Sequence, residues 1–123
     1  MHRIKRLSPL TLLVVRANLL GMKLLAAVEI KDGVTHKDTF YIPYTSDWVE
    51  HDKYMDVVNY IKNKSYDLYL RVYDGSDVWN SMLVGECTFY QAEPHHIFDL
   101  VNKVHEFGRI AEEKKLAKVY ADG

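Results

Sequence analysis

The sequence predicts an α+β fold: an antiparallel sheet of four to five strands, made of two hairpins, with two helices on one face. Three observations carry this. Asp32-Gly33 separates two stretches of alternating apolar residues, the strongest short hairpin signal. Tyr66 to Tyr73 alternates with a period of two and gives way to Asp74-Gly75, a turn pair. Two further stretches repeat apolar residues at steps of three and four, the spacing of a helix with one buried side.

The first hairpin is expected to pair Leu24–Ile30 with Val34–Tyr41. Leu24, Ala26, Val28 and Ile30 share one face of the first strand, and Phe40 and Ile42 are in phase on the second. Pro43 should end that strand, because proline cannot donate to a ladder. Asp47 and Glu50 then form a capping-box pattern for a helix to about Lys62. Its apolar stripe reads Trp48, Met55, Val58 and Ile61, widened by Tyr54 and Val57.

The second hairpin lies within Ser65–Tyr90, the stretch around which the chain is organised. Tyr66, Leu68, Leu70 and Val72 point one way; Asp67, Tyr69, Arg71 and Tyr73 point the other. Polar Ser76, Asp77, Asn80 and Ser81 favour a loop that extends to Ser81. The return strand runs from about Met82 to Tyr90, with Leu83, Cys87 and Phe89 toward the core. Gly85 marks a bulge or a close approach. Glu93-Pro94 opens the last helix, with Ile97, Leu100, Val101, Val104, Phe107, Gly108, Ile110 and Ala111 on its apolar side. Gly108 is a point where that helix would break, and Glu112 to Lys118 reads as a solvated charged face. Connections this short favour sequential antiparallel hairpins, and both helices must cover the apolar sheet face.

Residues 1–21 form a basic extension or docking arm, and residues 22–123 a single α+β domain. The extension carries Arg3, Lys5, Arg6 and Arg16 and none of the 17 acidic side chains. Its uncharged run falls short of the roughly 20 apolar residues a transmembrane helix needs. It also lacks the small-residue cleavage site of a secretory signal. The domain pattern starts at Met22, so the first 21 residues also read as an extension upstream of a start there. With a net charge of −1, no global basic field draws the chain to nucleic acid. The single Cys87 excludes an internal disulfide and fits a reducing compartment, which makes the cytoplasm the expected location.

Catalytic motifs are missing: no nucleophile elbow, phosphate-binding loop or HExxH occurs. His95, His96 and Asp99 are the best metal candidates, with His36 and Asp38 as further donors. Adjacent histidines diverge by about 100° on a helix, however, so a cofactor-free, metal-free domain is expected.

The most informative feature is the second sheet face. Tyr69, Arg71 and Tyr73 interleave aromatics with a cation, and Tyr41, Tyr90, Thr39 and Thr88 extend the surface. Trp79 stands in the loop of the same hairpin. Tyr, Trp and Arg are the residues that anchor protein interfaces. The expected function is a small non-enzymatic interaction module, of the size of accessory or inhibitory proteins, that self-associates as a two-fold dimer. The alternatives are a nucleotide or single-stranded nucleic-acid binder using the same face, and a small metal-dependent hydrolase.

Overall fold

Gly33 turns the first hairpin with φ of 62°, a conformation that costs glycine nothing. From that turn the pairing runs from Asp32↔Thr35 to Leu24↔Tyr44. The computed structural model describes residues 23–45, 48–49 and 51–122. Its elements are β1 (Leu24–Asp32), β2 (Thr35–Thr45), β3 (Trp48–Val49), α1 (His51–Ile61), β4 (Tyr66–Asp74), β5 (Met82–Ala92) and α2 (His96–Asp122). The sheet order is β3-β2-β1-β4-β5, antiparallel throughout. Both expected hairpins are present, and β1 and β4 join them at the centre of the sheet.

One hydrophobic core lies between one sheet face and both helices. Val28, Ile30, Leu68, Leu70 and Val72 are fully buried there against Val57, Ile61, Leu100 and Val104. Burying each such side chain stabilises the fold by roughly 1.5–3 kcal/mol. Among the described residues no helix is long and apolar enough to cross a membrane.

Several local expectations are corrected. The fifth strand is the two-residue β3, which pairs with Tyr44 and Thr45, and α1 starts only at His51. Trp48 therefore belongs to a strand and not to the helical stripe. The buried side of α1 is Tyr54, Val57 and Ile61, while Met55 is exposed. β2 continues through Pro43, paired with Leu25. A missing donor is tolerated near a sheet edge, and among the described residues only the short β3 lies beyond β2. The expected arm over residues 1–21 and the Asp47–Glu50 cap lie outside the described residues.

The long loop over 75–81 is as expected, and Gly85 is both things expected of it. The register shifts from Val72↔Gly85 to Tyr73↔Leu83, so Val84 is the extra residue of a bulge. A Cβ on Gly85 would come within 2.4 Å of the Phe107 ring. The bulge also turns Leu83 to the open face, opposite Tyr73, and not to the core. α2 does not break at Gly108. That glycine lets the helix approach β1, where an added Cβ would lie 2.8 Å from Leu24 Cδ1. Glu112 is buried, so the charged segment of α2 is not wholly a solvated face.

Candidate functional site

The sheet face opposite the helices is built in cross-strand rows. Thr39, Glu29, Tyr69 and Thr88 form one row; Tyr41, Ala27, Arg71 and Glu86 the next; Pro43, Leu25, Tyr73 and Leu83 the third. Directly opposed side chains in such rows have Cβ atoms about 4.5–5.5 Å apart. The expected residues Tyr41, Tyr69, Arg71 and Tyr73 thus lie on one contiguous surface. Ala27 is buried between its larger neighbours.

Arg71 is the centre of this surface. Its guanidinium carbon lies 5.1 Å from the centroid of the Tyr69 ring, a cation–π contact. Its Nη2 is 3.8 Å from Glu29 Oε1, an ion pair longer than a hydrogen bond. Glu29 Oε2 is 2.9 Å from His36 Nδ1. The Arg71 Nε is buried with no hydrogen-bond partner among the described residues. The guanidinium is therefore oriented by a ring and a carboxylate, while its donors are not consumed within the sheet. On the far side, the Tyr69 hydroxyl donates to Glu86 Oε2 at 2.7 Å. That hydrogen bond to a carboxylate holds the Tyr69 phenol above its ordinary pKa.

The loop between β4 and β5 reaches the same face. Asp77 Oδ1 accepts from the backbone N–H of Trp79 at 2.9 Å and of Asn80 at 2.8 Å, which fixes the turn. The Gly75 N–H donates to the Lys23 carbonyl at 2.7 Å and ties the loop to the start of β1. A cleft of about 450 Å³ lies between this loop and β2, lined by Leu25, Tyr41, Pro43, Val78 and Trp79 among others. Trp79 is 89% exposed and Tyr41 51%, so two aromatics stand in solvent at its rim. Tyr90 is also exposed on β5. It lies on the strand farthest from Tyr41 and the cleft, not in the Arg71 cluster.

Sequence reasoning missed Glu29 and Glu86. Both were legible from the period of two: Glu29 is the polar interruption of Leu24–Ile30 and lies in phase with Leu25 and Ala27. Leu25 on β1 and Pro43, expected only to end its strand, line the cleft as well.

The histidine candidates fall elsewhere. His96 Nδ1 accepts from the Glu93 N–H at 2.8 Å, the back-bond of a capping box, and so fixes the entry to α2. The His95 ring stacks on His96 at 4.2 Å, because His95 precedes the helix and the expected divergence does not apply. His36 pairs with Glu29, and Asp38 accepts from the Thr39 N–H. Among the described residues no three His, Cys, Asp or Glu side chains are grouped to hold a metal ion. Cys87 is half-buried, and desolvation pushes its thiol pKa up, away from the thiolate that nucleophilic chemistry needs. A second concavity lies between the helices, with Met55 and Phe98 exposed at its rim. It brings together none of the expected site residues. Compared with protein families, curated proteins and solved structures, the chain matches none.

Proposed function

We propose that the chain is a non-enzymatic interaction module that docks a protein partner on the Tyr41/Tyr69/Arg71/Tyr73 face, with Trp79 as an anchor beside it. The observation that carries this reading is Arg71: a partly exposed guanidinium, oriented by Tyr69 and Glu29 but no nearer than 3.8 Å to that carboxylate, set among tyrosines and next to an apolar cleft. Aromatic and arginine anchors of this kind dominate protein interfaces. Backbone carbonyls of a partner suit the Nη groups of Arg71, its Nε being buried, and an apolar side chain suits the cleft.

Charge favours a protein over a nucleotide or single-stranded nucleic acid. Glu29 is 3.8 Å from Arg71, and Glu86 stands directly opposite it on β5. Two carboxylates around one cation repel a phosphate, whereas nucleic-acid surfaces gather unopposed cations.

The test is quantitative capture of partners by the full chain, by a Tyr69→Ala/Arg71→Ala variant and by a Phe98→Ser variant. Proteins retained by the wild type and by Phe98→Ser, but lost from the double variant at an unchanged melting temperature, bear the reading out. Identical retention by all three counts against it.

A further inference from the structure

The sheet offers a second surface, the outer edge of β5. Among the described residues β5 pairs only with β4, so no strand partners the backbone groups on its other side. Natural sheet edges are blunted by shortness, proline, charge, bulges or cover. The opposite edge obeys this, since β3 has two residues and lies beside the proline-bearing β2. β5 is blunted only toward its ends, by the Val84 bulge and the irregularity at Gln91; the regular stretch between them, Gly85 to Phe89, has Glu86 as its one charged side chain and no proline or lysine. The core is also incompletely closed there. Val84, Cys87 and Phe89 on β5, and Phe107 behind them on α2, are only partly buried.

We propose that β5 pairs antiparallel with β5 of a second copy of this chain, about a two-fold axis at Cys87, joining the two sheets into one. The register follows from the strand itself. Its regular ladder against β4 runs from Gly85 to Phe89, between the Val84 bulge and the irregularity at Gln91, where φ is 47°. Cys87 is the middle of that regular stretch, so an axis there maps it onto itself. Glu86 then faces Thr88 of the other copy, and Gly85 faces Phe89 of the other copy. The incoming phenyl ring stands beside Phe107, which already covers Gly85, and closes the open rim of the core. An axis at Glu86 would set two carboxylates face to face, which cross-strand pairing disfavours. A two-fold contact of this kind is closed and self-complementary. It places the two candidate binding faces side by side on one continuous surface.

The test is the mass of the full chain by light scattering at high micromolar concentration. The expected mass is twice the 14.4 kDa of one chain. Thr88→Glu places a carboxylate opposite Glu86 of the other copy at both symmetric positions, and the mass falls to that of one chain. Adding Glu86→Lys to Thr88→Glu turns each repulsion into an attraction, and the double mass returns; an unchanged melting temperature in Thr88→Glu shows that its loss of mass is not a folding defect. A wild-type chain of single mass overturns the proposal. So does a Thr88→Glu chain that stays paired, or a Thr88→Glu/Glu86→Lys chain that stays single. Arg71→Ala leaves the mass unchanged whether or not the binding face recruits a partner, so the two readings fail separately.

Discussion

The Tyr69 hydroxyl donates to the Glu86 carboxylate at 2.7 Å across β4 and β5. Tyr69 and Arg71 are neighbours on one face of β4, and the same Tyr69 ring carries the Arg71 guanidinium 5.1 Å from its centre. One tyrosine therefore links an acid and a base on the open face. The phenol should ionise above the ordinary tyrosine range, since loss of its proton places two anions side by side. Carbon-detected NMR titration of Tyr69 checks this. Glu86→Gln should bring the titration back toward the ordinary value.

Arg71→Ala should weaken partner binding strongly and leave the fold nearly untouched. Its ion pair with Glu29 is partly exposed and, at 3.8 Å, longer than a hydrogen bond, and such loose pairs contribute about 0–1 kcal/mol to stability. Arginine anchors at interfaces cost roughly 2 kcal/mol or more when truncated, about a 30-fold loss in affinity. Thermal melting beside a binding titration with the captured partner separates the two quantities. Trp79→Ala should behave in the same way, because its side chain is almost wholly in solvent.

Gly85→Ala and Gly108→Ala should differ. At Gly85 the new methyl group meets the body of the Phe107 ring, which cannot swing aside without opening the core. Overpacking of this kind typically costs about 1–3 kcal/mol. At Gly108 the new methyl group meets the tip of Leu24, a flexible end, while alanine gains about 1 kcal/mol of helix propensity. Urea denaturation should show a clear loss for Gly85→Ala and a value near wild type for Gly108→Ala.

Stability should fall as the solution is acidified through the histidine range, in part because of His105. Its Nδ1 shares a hydrogen bond of 2.6 Å with the buried Tyr44 hydroxyl, and its ring packs edge-on against the Tyr44 ring. Burial holds its pKa below the ordinary value, so the fold favours the neutral imidazole. Below about pH 6.5 the unfolded chain takes up a proton that the folded chain refuses. The contribution is therefore complete above that pH and is lost as pH falls toward the folded value. Denaturation midpoints across this window should drop less steeply in His105→Gln than in wild type.

Much of this architecture was legible because its signals are local. Asp32-Gly33 marks the hairpin, although the loop itself is Gly33-Val34 between the paired Asp32 and Thr35, and the alternation of Tyr66–Tyr73 assigns each side chain to a face. That alternation places Tyr69, Arg71 and Tyr73 on one face, and the phase of Phe40 and Ile42 on the second strand adds Tyr41. What failed depended on tertiary contact. The bulge at Val84 moved Leu83 to the other face, and a one-residue slip always does so. Gly108 looked like a helix breaker, since its propensity cost is local and its benefit, close packing on Leu24, is not. The cleft beside Trp79 joins a loop to β2, far apart in sequence, so its lining could not be read from spacing.

The most direct test of the binding face is photo-crosslinking in the native cell. A benzoylphenylalanine placed at Tyr41, at the exposed rim of the cleft, reports what docks there; the same probe at Phe98, between the helices, serves as the control. The account predicts a discrete protein adduct from position 41, absent from position 98 and lost when Arg71→Ala is added. An adduct with nucleic acid, or no adduct that distinguishes the two positions, would contradict it.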